Sequence, residues 1–423
     1  MKELIKKITP SFLIDWYHFL LAFLGALLYR FPGKKMTIIG ITGTKGKSTV
    51  VDFCHRIFQE AGHKTASLSS IRFKINSNER PNMLKMTMPG RFQIQRFLRE
   101  ALDYGCKYAI LEVTSEGILQ HRHKFIDFKT AVFTNLAPEH IERHGSFENY
   151  RRTKGQLFKA VRKIHIINSD DENKDYFLTF PAEKKYLYGI KNKKQEIKLI
   201  DKKAKILKEI KDVRVDLKLL GQFNLFNALA AICVGLSEEI NLPSCKAILE
   251  KIEKMPGRME IVIDDPFKVI VDYAHTPDAL EKVYQSLKGK RLICLLGSAG
   301  GGRDKWKRPK MGEIAAKYCD EIILTDEDPY DEDPKKILEE VFSGIASSKS
   351  KKQKSKVFKV LDRRKAIKKS LKLAKEGDTV VITGKGCEPW MCVARDEKIA
   401  WDDRQIVREE FELLNKKKNN KGE

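Results

Sequence analysis

Residues 36–49, MTIIGITGTKGKST, decide the fold of this 423-residue chain. The apolar run at residues 36–40 predicts a buried strand, and residues 48–61 predict the helix that follows it. The turn between them contains Gly43, Thr44, Lys45, Gly46, Lys47, Ser48 and Thr49. Backbone N–H groups of such a turn bind phosphate, its lysine reaches the terminal phosphates of a nucleotide, and its hydroxyl binds Mg²⁺. We therefore predict a nucleotide-binding loop in which Lys47 contacts phosphate and Ser48 contacts the metal.

Beyond this loop, short apolar strands alternate with helical stretches, which is typical of an α/β protein. Further strands are predicted at residues 108–113, 130–135, 268–273 and 292–296. Glu112 falls at the carboxyl end of the first of these, where an open parallel sheet binds its ligands. It is therefore a candidate metal ligand, in a chain long enough for two or three domains.

The charge balance is strongly basic, with 81 Lys and Arg against 57 Asp and Glu and a net charge of +24. Such a charge attracts polyanions in general. Much of it falls in polar runs at residues 191–211, 347–356 and 416–421, which are typical of solvated surfaces or frayed ends. No zinc-finger spacing or aromatic-interleaved RNA-binding signature accompanies the charge. We therefore expect no nucleic acid partner.

The eight cysteines are scattered and form no CxxC pair. The sequence therefore predicts neither a disulfide framework nor a zinc site, and free thiols in a reducing cytoplasm are expected. They are Cys54, Cys106, Cys233, Cys245, Cys294, Cys319, Cys387 and Cys392.

An apolar stretch near the N-terminus, residues 16–29 (WYHFLLAFLGALLY), has basic residues on both sides. It is shorter than the roughly 20 residues that span a bilayer, and no small-residue cleavage site follows it. Two interpretations stay open for residues 11–30. The segment is either a helix that covers an apolar face of the same protein or one that contacts the inner face of the membrane.

The loop TGTKGKST resembles the ATP loop of the Mur ligases and of the folylpolyglutamate synthetases. Resemblance to the Mur branch that adds the third amino acid to the UDP-muramoyl dipeptide extends from about residue 36 to residue 408. Residues 1–35, which precede this resemblance, are predicted to hold the apolar N-terminal helix. The resemblance implies a central ATP-binding domain with a mostly parallel sheet at residues 36–254 and a Rossmann-like domain that binds the amino acid at residues 255–423. It also implies a cytoplasmic, ADP-forming ligase of cell-wall peptide synthesis, which joins a free amino acid to a muramoyl-peptide carboxylate through an acyl phosphate.

The segment TNLAPEHIERHGSFENYRRTKGQLF at residues 134–158 is part of this resemblance. By resemblance, Glu112 and His140 bind Mg²⁺ together with Ser48, and Lys154 is the lysine that becomes carbamylated. A carbamate turns a cation into an anionic oxygen ligand for the metal. The expected catalytic residues are therefore Lys47, Glu112, His140 and Lys154.

Two later segments are expected to complete the nucleotide site. Asn224 and Asn227 lie three residues apart on one face of a predicted helix, where their amides match the adenine edge; capping of the helix by Asn224 is the alternative. By resemblance, Arg258, Asp272 and His275 bind the ribose and phosphates from the C-terminal domain.

The expected substrate residues form two groups, which are Thr87, Ser115 and Arg122 in the central domain and Arg303, Asp328, Tyr330, Gly384 and Glu388 in the C-terminal domain. Tyr330 stands where diaminopimelate-specific relatives have an arginine that grips the distal carboxylate. This departure argues against ordinary diaminopimelate recognition and leaves lysine, ornithine or another amino acid open. Glu116 and Cys387 replace family histidines, and Glu139 replaces an aspartate.

These ligases usually begin with a domain of about 100 residues that holds the uridine nucleotide, whereas the ATP loop here begins at Gly43. The resemblance therefore predicts either an acceptor without UDP, such as a lipid-linked precursor, or a different protein surface that binds the uridine nucleotide. Two other functions stay open. One is a folylpolyglutamate-type ligase, which the DYAHTPD motif at residues 272–278 disfavours, and the other is an ATP-binding partner of an amidotransferase without ligase activity of its own.

Overall fold

The computed structural model describes residues 10–84, 86–191, 194–201, 206–210, 213–289, 291–348, 356–395 and 397–419. Lys2, Lys6, Lys7 and parts of the three basic runs lie outside the described residues. The chain divides into two compact units. The first unit comprises residues 1–138, 144–218 and 223–252, and the second comprises residues 139–143, 219–222 and 253–423.

The helices follow one another along the chain as α1 (Ser11–Leu28), α2 (Lys47–Glu60), α3 (Arg91–Asp103), α4 (Ser115–Leu119), α5 (Ile141–His144), α6 (Phe147–Ala160), α7 (Lys174–Leu178), α8 (Phe223–Ser237), α9 (Leu242–Glu250), α10 (Pro277–Ser286), α11 (Lys307–Tyr318), α12 (Pro334–Ser347), α13 (Arg363–Leu373) and α14 (Asp403–Asn419). A 3₁₀ turn spans Pro32–Lys34.

The strands are β1 (Thr37–Thr42), β2 (Thr65–Leu68), β3 (Arg72–Ile75), β4 (Asn78–Pro81), β5 (Tyr108–Glu112), β6 (Phe128–Phe133), β7 (Ile164–Asn168), β8 (Lys184–Lys191), β9 (Lys194–Asp201), β10 (Ile206–Ile210), β11 (Glu260–Ile263), β12 (Lys268–Val271), β13 (Leu292–Leu296), β14 (Glu321–Leu324), β15 (Lys356–Lys359), β16 (Thr379–Ile382), β17 (Trp390–Cys392) and β18 (Lys398–Ala400).

The first unit is built on a ten-stranded sheet with the order β10-β9-β8-β7-β6-β1-β5-β2-β3-β4. Its central strands, from β8 to β2, run parallel, and antiparallel hairpins extend both edges. Strand β1 is buried almost throughout, as expected for a central strand of a parallel sheet covered on both faces. Its carboxyl end therefore meets those of β5 and β6 at one edge of the sheet, where the loop of residues 43–46 begins.

The first basic run forms strands where it is described. Residues 194–201 and 206–210 form the antiparallel strands β9 and β10. Lys198 on β9 pairs with Glu209 on β10 at 2.6 Å on a partly exposed face. Successive side chains of a strand point to opposite faces, so alternating charged and apolar residues leave the charged ones on a solvated face.

The second unit contains a six-stranded sheet with the order β11-β12-β16-β13-β14-β15, in which only β11 is antiparallel. Its core consists of apolar residues from the parallel strands, α13 and α14. Together with the mostly parallel sheet of the first unit, this Rossmann-like sheet confirms the predicted α/β fold class.

The expectation of free thiols throughout is wrong at one pair of cysteines. Cys294 on β13 and Cys319 at the end of α11 form a disulfide, with their Cα atoms 6.0 Å apart. The two residues are 25 positions apart in the sequence, and the fold places them together because β14, which follows Cys319, pairs with β13. The six other cysteines carry free thiols, five of them buried.

Helix α1 confirms the predicted N-terminal helix and is longer than residues 16–29. It packs against α3 through small residues, because Ala22, Gly25 and Ala26 are buried. Its large apolar side chains are exposed instead, and they are Phe12, Leu13, Trp16, Tyr17, Phe19, Leu20, Phe23, Leu24, Leu27 and Leu28. No helix among the described residues is both long and apolar enough to cross a membrane.

Candidate active site

The loop of residues 43–49 depends on two glycines with positive φ. Gly43 has φ +147°, and a Cβ there would lie 1.9 Å from the Thr134 hydroxyl. Gly46 has φ +82°, and a Cβ there would lie 2.3 Å from Oδ1 of Asn227. Any side chain at either position would therefore collide with a neighbour as well as strain the backbone. The loop then enters α2, where Ser48 and Thr49 are buried.

Two residues after β6 hold this loop, and the sequence reasoning missed both. The Thr44 N–H donates to the Asn135 carbonyl at 2.8 Å, and the Lys45 N–H donates to the Asn135 side chain at 2.9 Å. The Thr134 hydroxyl donates to the Lys45 carbonyl at 2.8 Å. The only sequence signal was the position of Thr134 and Asn135 at the end of a predicted parallel strand, beside the loop.

Lys47, Ser48 and Glu112 come together at the base of the loop. The Ser48 hydroxyl donates to Glu112 Oε2 at 2.8 Å, and the Ser70 N–H donates to the same oxygen at 2.9 Å. Lys47 Nζ donates to the Thr44 carbonyl at 2.9 Å and lies 3.8 Å from Glu112 Oε1. A hydroxyl beside a buried carboxylate is a pair of oxygen ligands that suits a hard cation such as Mg²⁺. These residues therefore fit the predicted metal.

Lys154 on α6 reaches the same loop from another direction. Its Nζ donates to the Gly43 carbonyl at 2.8 Å and lies 4.7 Å from the centre of the Tyr150 ring. Lys154 is 2% exposed and Tyr150 is 1% exposed. The Tyr150 hydroxyl in turn bonds the Thr44 hydroxyl at 3.1 Å. Tyr150 is thus a third residue that the sequence reasoning missed, although it lies one helical turn before Lys154.

His140 belongs to the second unit, as part of the short segment of residues 139–143. Its φ of +58° marks a left-handed backbone. In that unit Glu139 Oε1 lies 3.4 Å from His275 Nε2, and the Glu142 N–H donates to Asp304 at 3.2 Å. Within the described ranges, no group of three or more His, Cys, Asp and Glu side chains is arranged to hold a metal ion.

Asn224 and Asn227 lie on one face of α8, as the spacing predicted. The Asn227 amide donates to Asn224 Oδ1 at 3.1 Å, and both residues are buried. Asn224 lies within the helix, whose first residue is Phe223. Because Asn227 Oδ1 also lies next to Gly46, the pair stands directly beside the predicted phosphate loop.

In the second unit, Asp272 organises the turn after β12. Its Oδ2 accepts a hydrogen bond from the Met259 N–H at 2.7 Å, and its Oδ1 accepts one from the Ala274 N–H at 2.7 Å. Both carboxylate oxygens are therefore bound to backbone N–H groups. The Arg258 guanidinium lies 4.2 Å from the centre of the Tyr273 ring, and His275 Nδ1 bonds the Tyr273 carbonyl at 2.7 Å. The structure therefore brings Arg258, Asp272 and His275 together around one turn.

Asp328 and Glu388 share a fully buried lysine, Lys385. Its Nζ lies 2.9 Å from both oxygens of Asp328 and 2.6 Å from Glu388 Oε2. The Tyr273 hydroxyl donates to Glu388 Oε1 at 3.0 Å, and burial, followed by the Glu388 charge, raises the pKa of Tyr273. Two carboxylates around one ammonium leave one negative charge in excess, which suits a substrate amine.

Tyr330, Gly384 and Arg303 surround the same part of the sheet edge. Tyr330 has φ +52°, its N–H donates to the Cys392 carbonyl at 3.2 Å, and its ring approaches Gly301. Burial, followed by the Asp328 charge, raises the pKa of Tyr330 to about 12, while the charge of Arg303 lowers it. Gly384, with φ +107°, leaves room for the carboxylate of Glu327, because a Cβ there would lie 2.3 Å from Glu327 Oε2.

Glu327 was not predicted from the sequence, although it stands between the two acidic residues Asp326 and Asp328. It is 4% exposed, and within the described part of the chain its Oε2 has no hydrogen-bond partner. Burial raises the pKa of Glu327 to about 7, against the partial opposition of Lys307 and Arg363. The fold is therefore more stable with Glu327 protonated than with Glu327 ionised.

We expect the free energy of unfolding to depend on pH through Glu327, and we expect the Glu327→Gln variant to lack this dependence. A raised pKa contributes stability that is fully present below the unfolded pKa of 4.5 and is lost as the pH rises through about 7. Between pH 5 and pH 8, the wild-type free energy of unfolding should fall by roughly 2 to 3 kcal/mol relative to the variant. Denaturant unfolding followed by tryptophan fluorescence measures this, since Trp306, Trp390 and Trp401 lie in the second unit. Parallel pH profiles for the two proteins would contradict the assignment.

Thr87, Ser115 and Arg122 lie in the first unit near α4. The Ser115 hydroxyl bonds His144 Nε2 at 3.1 Å. Arg122 donates to the Met88 carbonyl and, at 2.7 Å, to Gln120 Oε1. Thr87 precedes Met88 and is half-buried. Arg122 is thereby linked through Met88 to the neighbourhood of Thr87.

Comparison with known proteins shows the family to which the chain belongs. Residues 41–235 match the Mur ligase middle domain, and residues 257–386 match the Mur ligase glutamate ligase domain. The chain is 38% identical to the UDP-N-acetylmuramoyl-L-alanyl-D-glutamate--2,6-diaminopimelate ligase of Syntrophomonas wolfei subsp. wolfei over 92% of this chain and 81% of that protein. A solved ligase of the same description is 29% identical, with a TM-score of 0.56 over 90% of this chain and 79% of that one.

A folylpolyglutamate synthase of Mycobacterium tuberculosis has a similar structure, with a TM-score of 0.63 over 89% of this chain and 96% of that one. Its sequence identity is 16%, so this likeness shows a common fold alone. The similarity to the muramoyl-peptide ligases is much higher in sequence and covers most of both chains. The chain therefore belongs to the Mur ligase family, as its motifs predicted, and is an ATP-dependent, ADP-forming amide ligase.

Proposed function

We propose that this enzyme joins the amine of a free amino acid to the carboxylate of a muramoyl-peptide acceptor in cell-wall peptide synthesis. ATP is consumed, and ADP and phosphate are released. The observation that supports this reaction best is the convergence of Lys47, Ser48, Glu112 and Lys154 on one glycine-rich loop. A lysine, a hydroxyl and a carboxylate at such a loop suit the transfer of a phosphoryl group to a carboxylate. The Syntrophomonas wolfei relative is named as a ligase of UDP-N-acetylmuramoyl-L-alanyl-D-glutamate.

In this proposal Lys47 binds the terminal phosphates, and backbone N–H groups of the loop bind the phosphates next to it. Ser48 and Glu112 hold Mg²⁺, with His140 and a carbamylated Lys154 as further ligands. When bound, the metal supplies positive charge that offsets the negative charge of the transferring phosphoryl group. The acceptor carboxylate takes the phosphoryl group from ATP, and the resulting acyl phosphate is attacked by the amine.

Asn224 and Asn227 bind the adenine in this proposal, and Arg258, Asp272 and His275 bind the ribose and phosphates. The central domain spans residues 36–254 and the C-terminal domain spans residues 255–423. The amine side of the reaction belongs to the second unit, where Arg303, Tyr330 and Gly384 line the substrate. There the excess negative charge around Asp328, Lys385 and Glu388 attracts the substrate ammonium.

The proposal is tested by ATP-dependent phosphate release with muramoyl-dipeptide acceptors, both with and without UDP. Lysine, ornithine, diaminopimelate and glutamate are supplied in turn, and mass spectrometry identifies the amide. We expect release that requires one acceptor and one amino acid together. Release without any amide, or amide formation only with a folate substrate, would overturn the proposal. A Mur-like partner of an amidotransferase would instead show no coupled release with any pair.

We also propose that residues 11–30 contact the inner face of the membrane peripherally, from a cytoplasmic enzyme. Ten large apolar side chains of α1 face outward, with Trp16 at 66% and Leu20 at 49% exposure. An apolar surface of this kind usually marks an interaction site. Arg30, Lys34 and Lys35 follow the helix in sequence, and basic residues beside an apolar helix favour anionic lipid.

The Trp16→Ser/Leu20→Ser double variant should lose this contact without loss of folding, because both side chains are exposed. We expect the wild-type chain to float with vesicles of phosphatidylglycerol and phosphatidylcholine, and the bound fraction of the variant to be lower by about tenfold or more. The Ile399→Ser/Leu413→Ser variant removes two other exposed apolar side chains, 47% and 44% exposed, and should bind as the wild type does. Equal flotation of all three proteins would exclude α1 as the contact.

A further inference from the structure

Helix α1 has the reverse of the usual arrangement for a helix on a soluble protein. Such helices bury their large apolar residues and expose polar ones. Here Ala22 and Ala26 are buried, and Gly25 approaches the backbone of α3 so closely that a Cβ would lie 3.4 Å from the Arg91 carbonyl. The small residues thus hold the helix on the protein, and large residues such as Trp16 and Leu20 remain available to another apolar phase.

One flank of α1 also contacts the turn of residues 120–125. The Asp15 carboxylate lies 2.7 Å from His121 Nε2. The Phe19 ring packs edge-on against Phe125 at 5.2 Å, and the Phe23 ring lies 5.5 Å from Phe125. The helix and this turn therefore form one continuous packed layer.

The same turn carries residues predicted to bind substrate. Arg122 lies within it and donates to the carbonyl of Met88, the residue after Thr87. Arg91, which contacts His18 of α1, donates through Nε to the Gln120 carbonyl at 3.0 Å. The contact of His18 with Arg91 and that of Asp15 with His121 thus connect the helix to residues 86–91 and 115–125. We name these two ranges the acceptor segments.

The acceptor segments also carry exposed apolar side chains. Met86 is 40% exposed and Leu119 is 45% exposed. The Arg122 guanidinium, 3.6 Å from the Met86 sulfur, is itself almost fully buried. An acceptor bound here would therefore meet a buried cation at its polar end and apolar surface towards α1.

From these contacts between α1 and the acceptor segments we infer that the acyl acceptor is carried on a lipid and is taken from the surface of an anionic membrane to which α1 binds. This inference rests on the proposed ligase function and on the proposed membrane contact. The lipid of the acceptor lies in the apolar layer that the large side chains of α1 enter, and the peptide carboxylate extends towards Ser115 and the nucleotide loop. The basic residues Arg30, Lys34 and Lys35 favour a layer with anionic headgroups.

The test compares two acceptors with the same muramoyl dipeptide. One is joined through a diphosphate to a polyprenyl chain and incorporated into vesicles of phosphatidylglycerol and phosphatidylcholine, and the other is joined to UDP in solution. With the full-length chain, we expect kcat/KM for the vesicle-borne acceptor to be higher by about tenfold or more. In Trp16→Ser/Leu20→Ser this advantage should disappear while the rate with the soluble acceptor stays within about twofold.

The Ile399→Ser/Leu413→Ser variant serves as the matched control and should keep the advantage. A kcat/KM for the UDP-linked acceptor equal to or above that for the vesicle-borne one overturns the inference, as does an advantage that survives in the α1 variant. If the α1 variant instead changes the sedimentation of the protein, a second copy covers the helix and the inference is also wrong. Absence of amide with both acceptors is a different result, since it refutes the ligase function itself.

Discussion

Replacing Lys47 with methionine is expected to lower the rate of ATP-dependent amide formation by about 10³-fold. The Lys47 ammonium lies 2.9 Å from the Thr44 carbonyl and 3.8 Å from Glu112, at the start of α2. In the proposed reaction it contacts the terminal phosphates, whose charge is redistributed as the phosphoryl group is transferred. Methionine retains the length of the side chain and removes the charge. Phosphate release at saturating acceptor and amino acid measures the effect.

Lys159→Met is the matched control for Lys47→Met, because Lys159 is an exposed lysine on α6 of the same unit. We expect its rate to stay within about twofold of the wild type. If Lys47→Met lowered the rate only as much as the control, the loop would not bind the transferring phosphates. A variant that releases phosphate at the wild-type rate without forming amide would place the role of Lys47 in the second step.

The parts of the fold that depend on local sequence were predictable. Strand β1, the loop after it and helix α2 follow from an apolar run, two glycines and an amphipathic segment, each of which is visible within about ten residues. Helix α1 was likewise visible as an apolar run. Strands β9 and β10 were not predicted, because their lysines made the segment resemble a solvated run and their pairing depends on β8.

In the candidate site, too, only the residues whose position follows from local sequence could be predicted. Lys47, Ser48 and Glu112 could be proposed because each stands at the carboxyl end of a strand or at the start of a helix. Tyr150 and Lys385 could not, because a tyrosine in a helix and a lysine near a glycine have no meaning until the contacts with Lys154 or with Asp328 and Glu388 are known. The Cys294–Cys319 disulfide is another contact of this kind, set by the pairing of β13 with β14.

Replacing Lys154 with alanine should be as damaging as the loss of Lys47, and it separates two roles for this lysine. As an ammonium, Lys154 donates to the Gly43 carbonyl and lies against the Tyr150 ring, so it holds the nucleotide loop. As a carbamate, it would give the metal an anionic oxygen. Both roles predict a rate lower by about 10³-fold in Lys154→Ala, since either the loop or the metal site loses a buried partner.

Chemical rescue distinguishes the two roles. If the carbamate is required, formate or acetate should restore part of the rate in Lys154→Ala, because a small carboxylate replaces the missing anionic oxygen, and removal of dissolved CO₂ should lower the wild-type rate. Lys154→Arg keeps a cation that can donate to the Gly43 carbonyl but cannot be carbamylated in the same way, so it should stay inactive. An active Lys154→Arg without any rescue of Lys154→Ala would mean that Lys154 acts only by holding the loop. The hydrogen bond to the Gly43 carbonyl and the contact with the Tyr150 ring would then account for its contribution, because a guanidinium can make both as well.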